Sequence, residues 1–398
     1  MSNASIVELT GRHQMANYSR FPVAFVRGSG ATLVDADGKE YLDFLGGIAV
    51  ALIGHAHPGV TAAIAEQAAK LVHVSNLFHV ESQSEAARQL SQATTGGKVF
   101  FCNSGTEANE AAIKLARKYS SDRGREGAFN IVAVDGSFHG RTYGSLSATG
   151  QPKFHEGFMP MVPGFKVVPF GDPAALDAAL DDKACALMVE PMQGEIGVRT
   201  HPPGWFETAA RLCRERGILL VVDEIQTGMG RTGAMLASTK MGVTPDIVTL
   251  AKGIANGLPL GAVVARDEVA ASFGPGTHGS TFGGNPVCCA AARVVLETVS
   301  DPAFLAEVGR KGERLAEGLR RLAARRTDVV EVRGMGLMVA AVLSVEAKPI
   351  ANRALENGFI VNATGNVLRF LPPLTVTDEE IDRALAFIEQ AMPPEGAR

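Results

Sequence analysis

Six short runs constrain this chain more than anything else in it: residues 98–102, 131–134, 184–189, 218–222, 247–250 and 262–265. Their apolar content is continuous rather than alternating. A strand wet on one face alternates, whereas a strand covered on both faces does not. Between the runs lie helical patterns. Ala108, Ala111, Ala112, Leu115 and Tyr119 recur at the spacing of one helix face, as do Trp205, Ala209, Leu212 and Cys213, with Gly217 as a stop signal. Buried strands alternating with amphipathic helices predict βαβ units and an α/β fold with a mostly parallel sheet.

The two ends read differently. Residues 26–44 suggest a small β-meander that turns at Gly28 and Gly30 and again at Asp35-Ala36-Asp37-Gly38. From about Asn285 the pattern is a long helix, strands at 329–332 and 338–343, and a helix from Asp378. A chain of 398 residues calls for more than one core. The expected division is a large domain at 51–284, a smaller α+β domain at 285–398, and an N-terminal segment, 1–50, packed on the small one.

Composition excludes several classes. The formal charge is -4 with no basic stripe, so no nucleic-acid partner is expected. No apolar stretch approaches the roughly 18–20 residues of a membrane span, and residues 1–14 lack the basic-then-apolar pattern of a secretory leader. The five cysteines, Cys102, Cys185, Cys213, Cys288 and Cys289, form no CxxC and no metal-ligand spacing. An odd count of this kind fits a reducing cytoplasm, and no bound metal is expected.

Chemistry enters where the strands end. Polar clusters follow five of the runs: Cys102-Asn103-Ser104-Gly105-Thr106-Glu107, Asp135-Gly136-Ser137-Phe138-His139-Gly140-Arg141, Glu190-Pro191-Met192-Gln193-Gly194-Glu195, Asp223-Glu224-Ile225-Gln226 and Ala251-Lys252-Gly253. In an open parallel sheet that C-terminal edge is where ligands bind. Ser104-Gly105-Thr106 opens a helix and reads either as an anion cradle or as an ordinary helix cap. Asp223 closes an apolar run, where a carboxylate is costly without a cationic partner; a protonated pyridine nitrogen or a plain capping role both account for it. Lys252 has only small or apolar neighbours, which lowers an amine's pKa as imine chemistry requires. Arg141 and Arg369 can each grip a carboxylate with a two-pronged fork. A salt bridge at Arg369 or a solvent-facing Arg141 is the plainer alternative.

These segments, with Asn17-Tyr18, Gly54-His55-Ala56-His57-Pro58 and Gly279-Ser280-Thr281-Phe282-Gly283-Gly284-Asn285-Pro286, resemble in order and spacing the class III, fold type I aminotransferases that depend on pyridoxal 5′-phosphate (PLP). The likeness runs from about Asn17 to the last helix and is nearest to the branch that acts on N-acetylated ornithine. It implies Lys252 as the Schiff-base lysine and Asp223 as the partner of the pyridine nitrogen. It implies Gln226 at the phenolic oxygen, Ser104, Gly105 and Thr106 at the phosphate, and Phe138 on the ring face, with His139 beside it in a stacking or packing role. Thr281 is implied as a phosphate ligand given by a second subunit, hence a homodimer with shared sites. For substrate it implies Arg141 and Arg369 as carboxylate clamps, Glu195 as the acid that pairs with Arg369 when no α-carboxylate is bound, and Ser280 and Tyr18 as further contacts.

The implied reaction, a step of arginine biosynthesis, moves the terminal amine of N2-acetyl-L-ornithine to 2-oxoglutarate. Succinylornithine, succinyldiaminopimelate, ornithine and 4-aminobutyrate stay open as donors. Two stretches depart from the family pattern: Ile196 stands where glycine is usual, and His79 and Val80 where Tyr and Thr are commoner.

Overall fold

A computed structural model describes residues 1–393, so 394–398 of the expected small domain lie outside the described residues. Its centre is a seven-stranded sheet. In chain order the strands are β1 (Lys98–Cys102), β2 (Asn130–Val134), β3 (Phe165–Val168), β4 (Ala184–Val189), β5 (Leu219–Asp223), β6 (Ile247–Leu250) and β7 (Gly261–Ala265). Across the sheet they lie in the order β1-β7-β6-β5-β4-β2-β3. All neighbours run parallel except at β7, which is antiparallel to both β6 and β1.

The uninterrupted apolar runs are explained by two layers of helices. In β5, Leu219 and Val221 pack with the helix Gly105–Asp122, while Leu220 and Val222 pack on the other face with the helix Trp205–Arg216. Successive side chains point to opposite faces, so a strand covered twice needs apolar residues at every position. Gly217 ends the second helix in the left-handed conformation, φ 61°, the stop its position suggested.

Strand β3 has no counterpart among the six runs. It lies at the sheet edge, pairs only with β2 and leaves Val167 exposed, so the sequence never marks it as a buried run. The long helix expected from Asn285 is two helices, Pro286–Val299 and Pro302–Ala323. The break follows from Asp301-Pro302: proline takes the first helical position and the Asp301 side chain caps the Ala303 N–H at 2.9 Å.

In the N-terminal meander, Phe25–Ser29, Thr32–Asp35 and Glu40–Asp43, Gly28 is not a turn residue. It lies within a strand opposite Leu33, and an added Cβ would stand 2.8 Å from His55. The turn falls at Gly30, φ 56°. A fourth strand, Phe359–Ile360, joins this sheet beside Glu40–Asp43, so the N-terminal residues pair with the C-terminal part of the chain. Another four-stranded sheet puts Val367–Phe370, with Arg369 on it, between Met338–Leu343 and Asn362–Thr364. No helix among the described residues is long and apolar enough to cross a membrane.

Candidate active site

The strand-end clusters converge on one cavity of about 450 Å³. Ser104, Gly105, Thr106, Phe138, His139, Arg141, Glu190, Glu195, Asp223, Gln226 and Lys252 all line it. They are far apart in sequence and meet because β1, β2, β4, β5 and β6 deliver their C-terminal ends to the same edge.

Asp223 is the last residue of β5 and is 4% exposed. Its Oδ2 accepts the Asn109 side-chain amide at 2.8 Å and lies 2.8 Å from His139 Nδ1; its Oδ1 accepts the Ile225 N–H at 3.1 Å. Burial is the largest single influence on His139 and favours the neutral ring, but the Asp223 hydrogen bond together with the charges of Asp223 and Glu190 raises its pKa overall. The carboxylate is thus held rigidly, and Oδ1 retains accepting capacity toward the cavity.

Lys252 follows β6 after a single residue. Its backbone takes φ 48°, in the left-handed region that a side chain with a Cβ rarely adopts. The amine is buried, with no hydrogen bond or ion pair among the described residues. Burial lowers its pKa, although Asp223, Glu195 and Glu190 pull the other way.

Opposite these groups, the helix Gly105–Asp122 begins at Ser104, whose Oγ accepts the Glu107 N–H at 3.3 Å. The N–H groups of Gly105 and Thr106, in the first turn, have no intrahelical acceptor, so they are available to an anion. The substrate end is looser. Arg369 is buried; it donates to Asn362 Oδ1 at 2.7 Å and the Gly194 carbonyl at 2.5 Å, and lies 3.4 Å from Glu195 Oε2. Glu195 is 35% exposed. Arg141 has no carboxylate partner among the described residues; its guanidinium lies over the Phe154 ring at 3.9 Å and 5.6 Å from the Phe138 centroid.

Ser280, Thr281 and Tyr18 are not brought to the cavity by their own chain. Ser280 Oγ accepts from Asn103 at 3.2 Å, Thr281 lines a separate small surface cleft, and Tyr18 is 68% exposed. Two participants had no role in the sequence reading. Asn109 sits on the buried face of an alanine-rich helix, and a polar residue on that face was the available signal. Glu190 follows β4 just as Asp223 ends β5. Burial raises its pKa to about 7, and it accepts the Phe138 N–H at 3.0 Å. Of the departures, Ile196 packs on Gly136, where an added Cβ would stand 2.6 Å from Ile196 Cδ1. His79 and Val80 lie outside the cavity, on a surface groove with Arg293 and Glu297.

The residues present fit PLP. Gln226 Oε1 and His139 Nε2 are buried without partners among the described residues, as groups that take a polar ligand are. Gly194 lets the Gln226 amide approach, since a Cβ there would stand 2.1 Å from Oε1. A cationic ring nitrogen suits Asp223, an aldehyde suits the unpaired Lys252, and a phosphate suits the open helix terminus.

Comparison with known proteins agrees. The family model described as aminotransferase class-III matches residues 14–392. An acetylornithine aminotransferase of Caldanaerobacter subterraneus is 48% identical over 383 residues, covering 96% of this chain and 97% of that protein. The ornithine aminotransferase of Toxoplasma gondii superposes with a TM-score of 0.93 at 35% identity, covering 98% of this chain and 95% of the other. The acetylornithine aminotransferase of Elizabethkingia anophelis gives 0.88 at 32%, covering 98% and 99%. A match that spans the chain, on a sheet whose strand ends carry a lysine, a buried aspartate and an open helix start, makes this protein a member of the class-III, PLP-dependent aminotransferases.

Proposed function

We propose that the protein transfers the terminal amine of N2-acetyl-L-ornithine to 2-oxoglutarate, giving N-acetyl-L-glutamate 5-semialdehyde and L-glutamate. The observation that carries this reading is the pair of unlike arginines. Arg141 is unpaired, while Arg369 is masked by Glu195 at 3.4 Å. One open clamp suits a donor whose only carboxylate lies far from its reacting amine. Unmasking the second suits a dicarboxylate acceptor.

PLP, when bound, supplies an electron sink for the pair left as a substrate C–H proton departs. Asp223 would hold the cationic ring nitrogen, Gln226 the phenolic oxygen, Phe138 the ring face, and Gly105 and Thr106 the phosphate. Lys252 would take the proton from the substrate carbon on Nζ and hand it back to the reacting system on the way to product; burial lowers the amine's pKa, which shifts it toward the neutral, basic form. Arg141 orients the donor's carboxylate and then the distal carboxylate of 2-oxoglutarate. Glu195 swings away from Arg369 as the α-carboxylate arrives.

Thr281 and Ser280 then serve the site of a second copy, so the working unit is a homodimer. The exposed apolar side chains Leu71, Val72, Leu77, Phe78 and Phe282 supply a surface for that contact. The five free, buried thiols suit the cytoplasm. Side-by-side kcat/KM for acetylornithine, succinylornithine, succinyldiaminopimelate, ornithine and 4-aminobutyrate tests the donor. Acetylornithine should lead, and a higher value for any other refutes the reading. Sedimentation of the holoenzyme tests the dimer.

A further inference from the structure

The loop that carries Arg141 is fastened by side chains of the helix Gly105–Asp122 and by its own hydroxyls. Glu110, on the helix Gly105–Asp122, accepts through Oε1 the Thr142 hydroxyl at 2.6 Å and the N–H groups of Gly144 and Ser145 at 2.8 and 3.0 Å. Thr106 Oγ1 accepts the N–H groups of Arg141 and Thr142, both at 3.2 Å, and lies 2.8 Å from Thr142 Oγ1 and 2.9 Å from Ser145 Oγ. A carboxylate only accepts, so the Thr142 proton goes to Glu110. Thr142 Oγ1 then accepts from Thr106, whose proton is turned toward the loop. Ser145 donates to the Thr106 carbonyl at 3.0 Å.

Two glycines permit this approach. Gly140 has φ 135°, and a Cβ there would stand 2.2 Å from Thr106 Oγ1; at Gly144 it would stand 2.3 Å from Glu110 Oε2. Arg141 itself has no acidic partner among the described residues, so its placement depends on its backbone and on the Phe154 ring beneath it.

We infer that Glu110 and the hydroxyls of Thr106, Thr142 and Ser145 form a positioning device that sets where Arg141 presents its guanidinium and so governs the grip on substrate carboxylates. The Thr106 side chain serves Arg141, and the cofactor phosphate is left to the backbone N–H groups of the helix start. This rests on Arg141 as a carboxylate clamp.

The test compares Thr142→Val and Glu110→Ala with Arg141→Ala in the holoenzyme. For each, KM and kcat are measured with both substrates, together with the PLP dissociation constant and Tm. The two positioning variants should raise KM for both carboxylate substrates about tenfold, the size of one lost hydrogen bond to a charged assembly. They should leave kcat nearly unchanged and PLP affinity unaltered. Thr142→Ser should restore KM. Thr142→Val should add nothing on an Arg141→Ala background, whereas a general loosening of the fold would add. Weakened PLP binding in Thr142→Val or Glu110→Ala, or a lowered Tm with unchanged KM, overturns the inference. If Arg141→Ala leaves KM unchanged, the clamp reading itself falls; if Arg141→Ala raises KM while Thr142→Val is silent, only the positioning device falls.

Discussion

The two ends of the cavity are built on opposite terms. At the cofactor end, Asp223 already has Asn109, His139 and the Ile225 N–H as donors. At the substrate end, Arg141 is unpaired and Glu195 holds Arg369 at 3.4 Å while remaining 35% exposed. A buried carboxylate with its donors in place costs no reorganisation when a cationic ring arrives, which is how preorganised electrostatics act. Arg369 is buried and also fixed by Asn362 and the Gly194 carbonyl, so it is the partly exposed Glu195 that can leave, provided another carboxylate takes its place on the buried charge. The difference matches permanence. Under the proposed function the cofactor would stay through the cycle, whereas two dissimilar substrates would take turns at the arginines.

The comparison can be broken at several points. The largest effect belongs to Lys252→Ala, which should abolish steady-state turnover; loss of the proton-transfer role alone costs about 10²–10⁴-fold. Turnover persisting without added amine would refute its role. Next is Asp223→Ala, which leaves His139 and Asn109 without their acceptor and a ring nitrogen without its counter-ion. By analogy with other broken buried pairs it should cost about 3–5 kcal/mol in kcat/KM, and an unchanged rate would show that the rigid end is not rigid for catalysis. Arg369→Ala is smaller and selective. It should cost 2-oxoglutarate about 1.5–3 kcal/mol, the value of hydrogen bonds to a charged group, and acetylornithine much less. Equal losses for both substrates would remove the distinction between the arginines.

The last effect is on stability and its dependence on pH, with no change of rate expected. Burial raises Glu190 from an ordinary 4.5 to about 7. Between those values the folded protein holds a proton that the unfolded chain has released. The raised pKa therefore contributes stability that is fully present below about 4.5 and is lost as pH rises through about 7. Wild type should lose Tm relative to Glu190→Gln across that window, with the gap constant above it. A gap independent of pH would mean that Glu190 is ionised throughout.

Much of the site was legible because buried strands announce themselves and their first polar residues stand out against them. Asp223 and Lys252 were found this way, one ending an apolar run and the other just past one. Glu190 carried the same signal, but a carboxylate beside a proline reads as a strand end until its burial is known. His139 looked as much a packing residue as a partner because its bond to Asp223 crosses 84 residues and depends on the order of strands in the sheet. Asn109 crosses 114 residues to the same carboxylate. The edge strand Phe165–Val168 escaped because a strand with one neighbour and a wet face need not be apolar throughout.

The sequence by itself determined the α/β class, the clusters that carry the chemistry and the family to which they belong, since burial on two faces and a fixed cofactor restrict residue type locally. Only the tertiary structure decided which donors hold Asp223, that β7 runs against its neighbours, that Glu195 rests on Arg369 and that Glu110 fastens the Arg141 loop. Those are relations between distant segments. Their energy depends on distance and burial, which exist only once the chain has closed on itself.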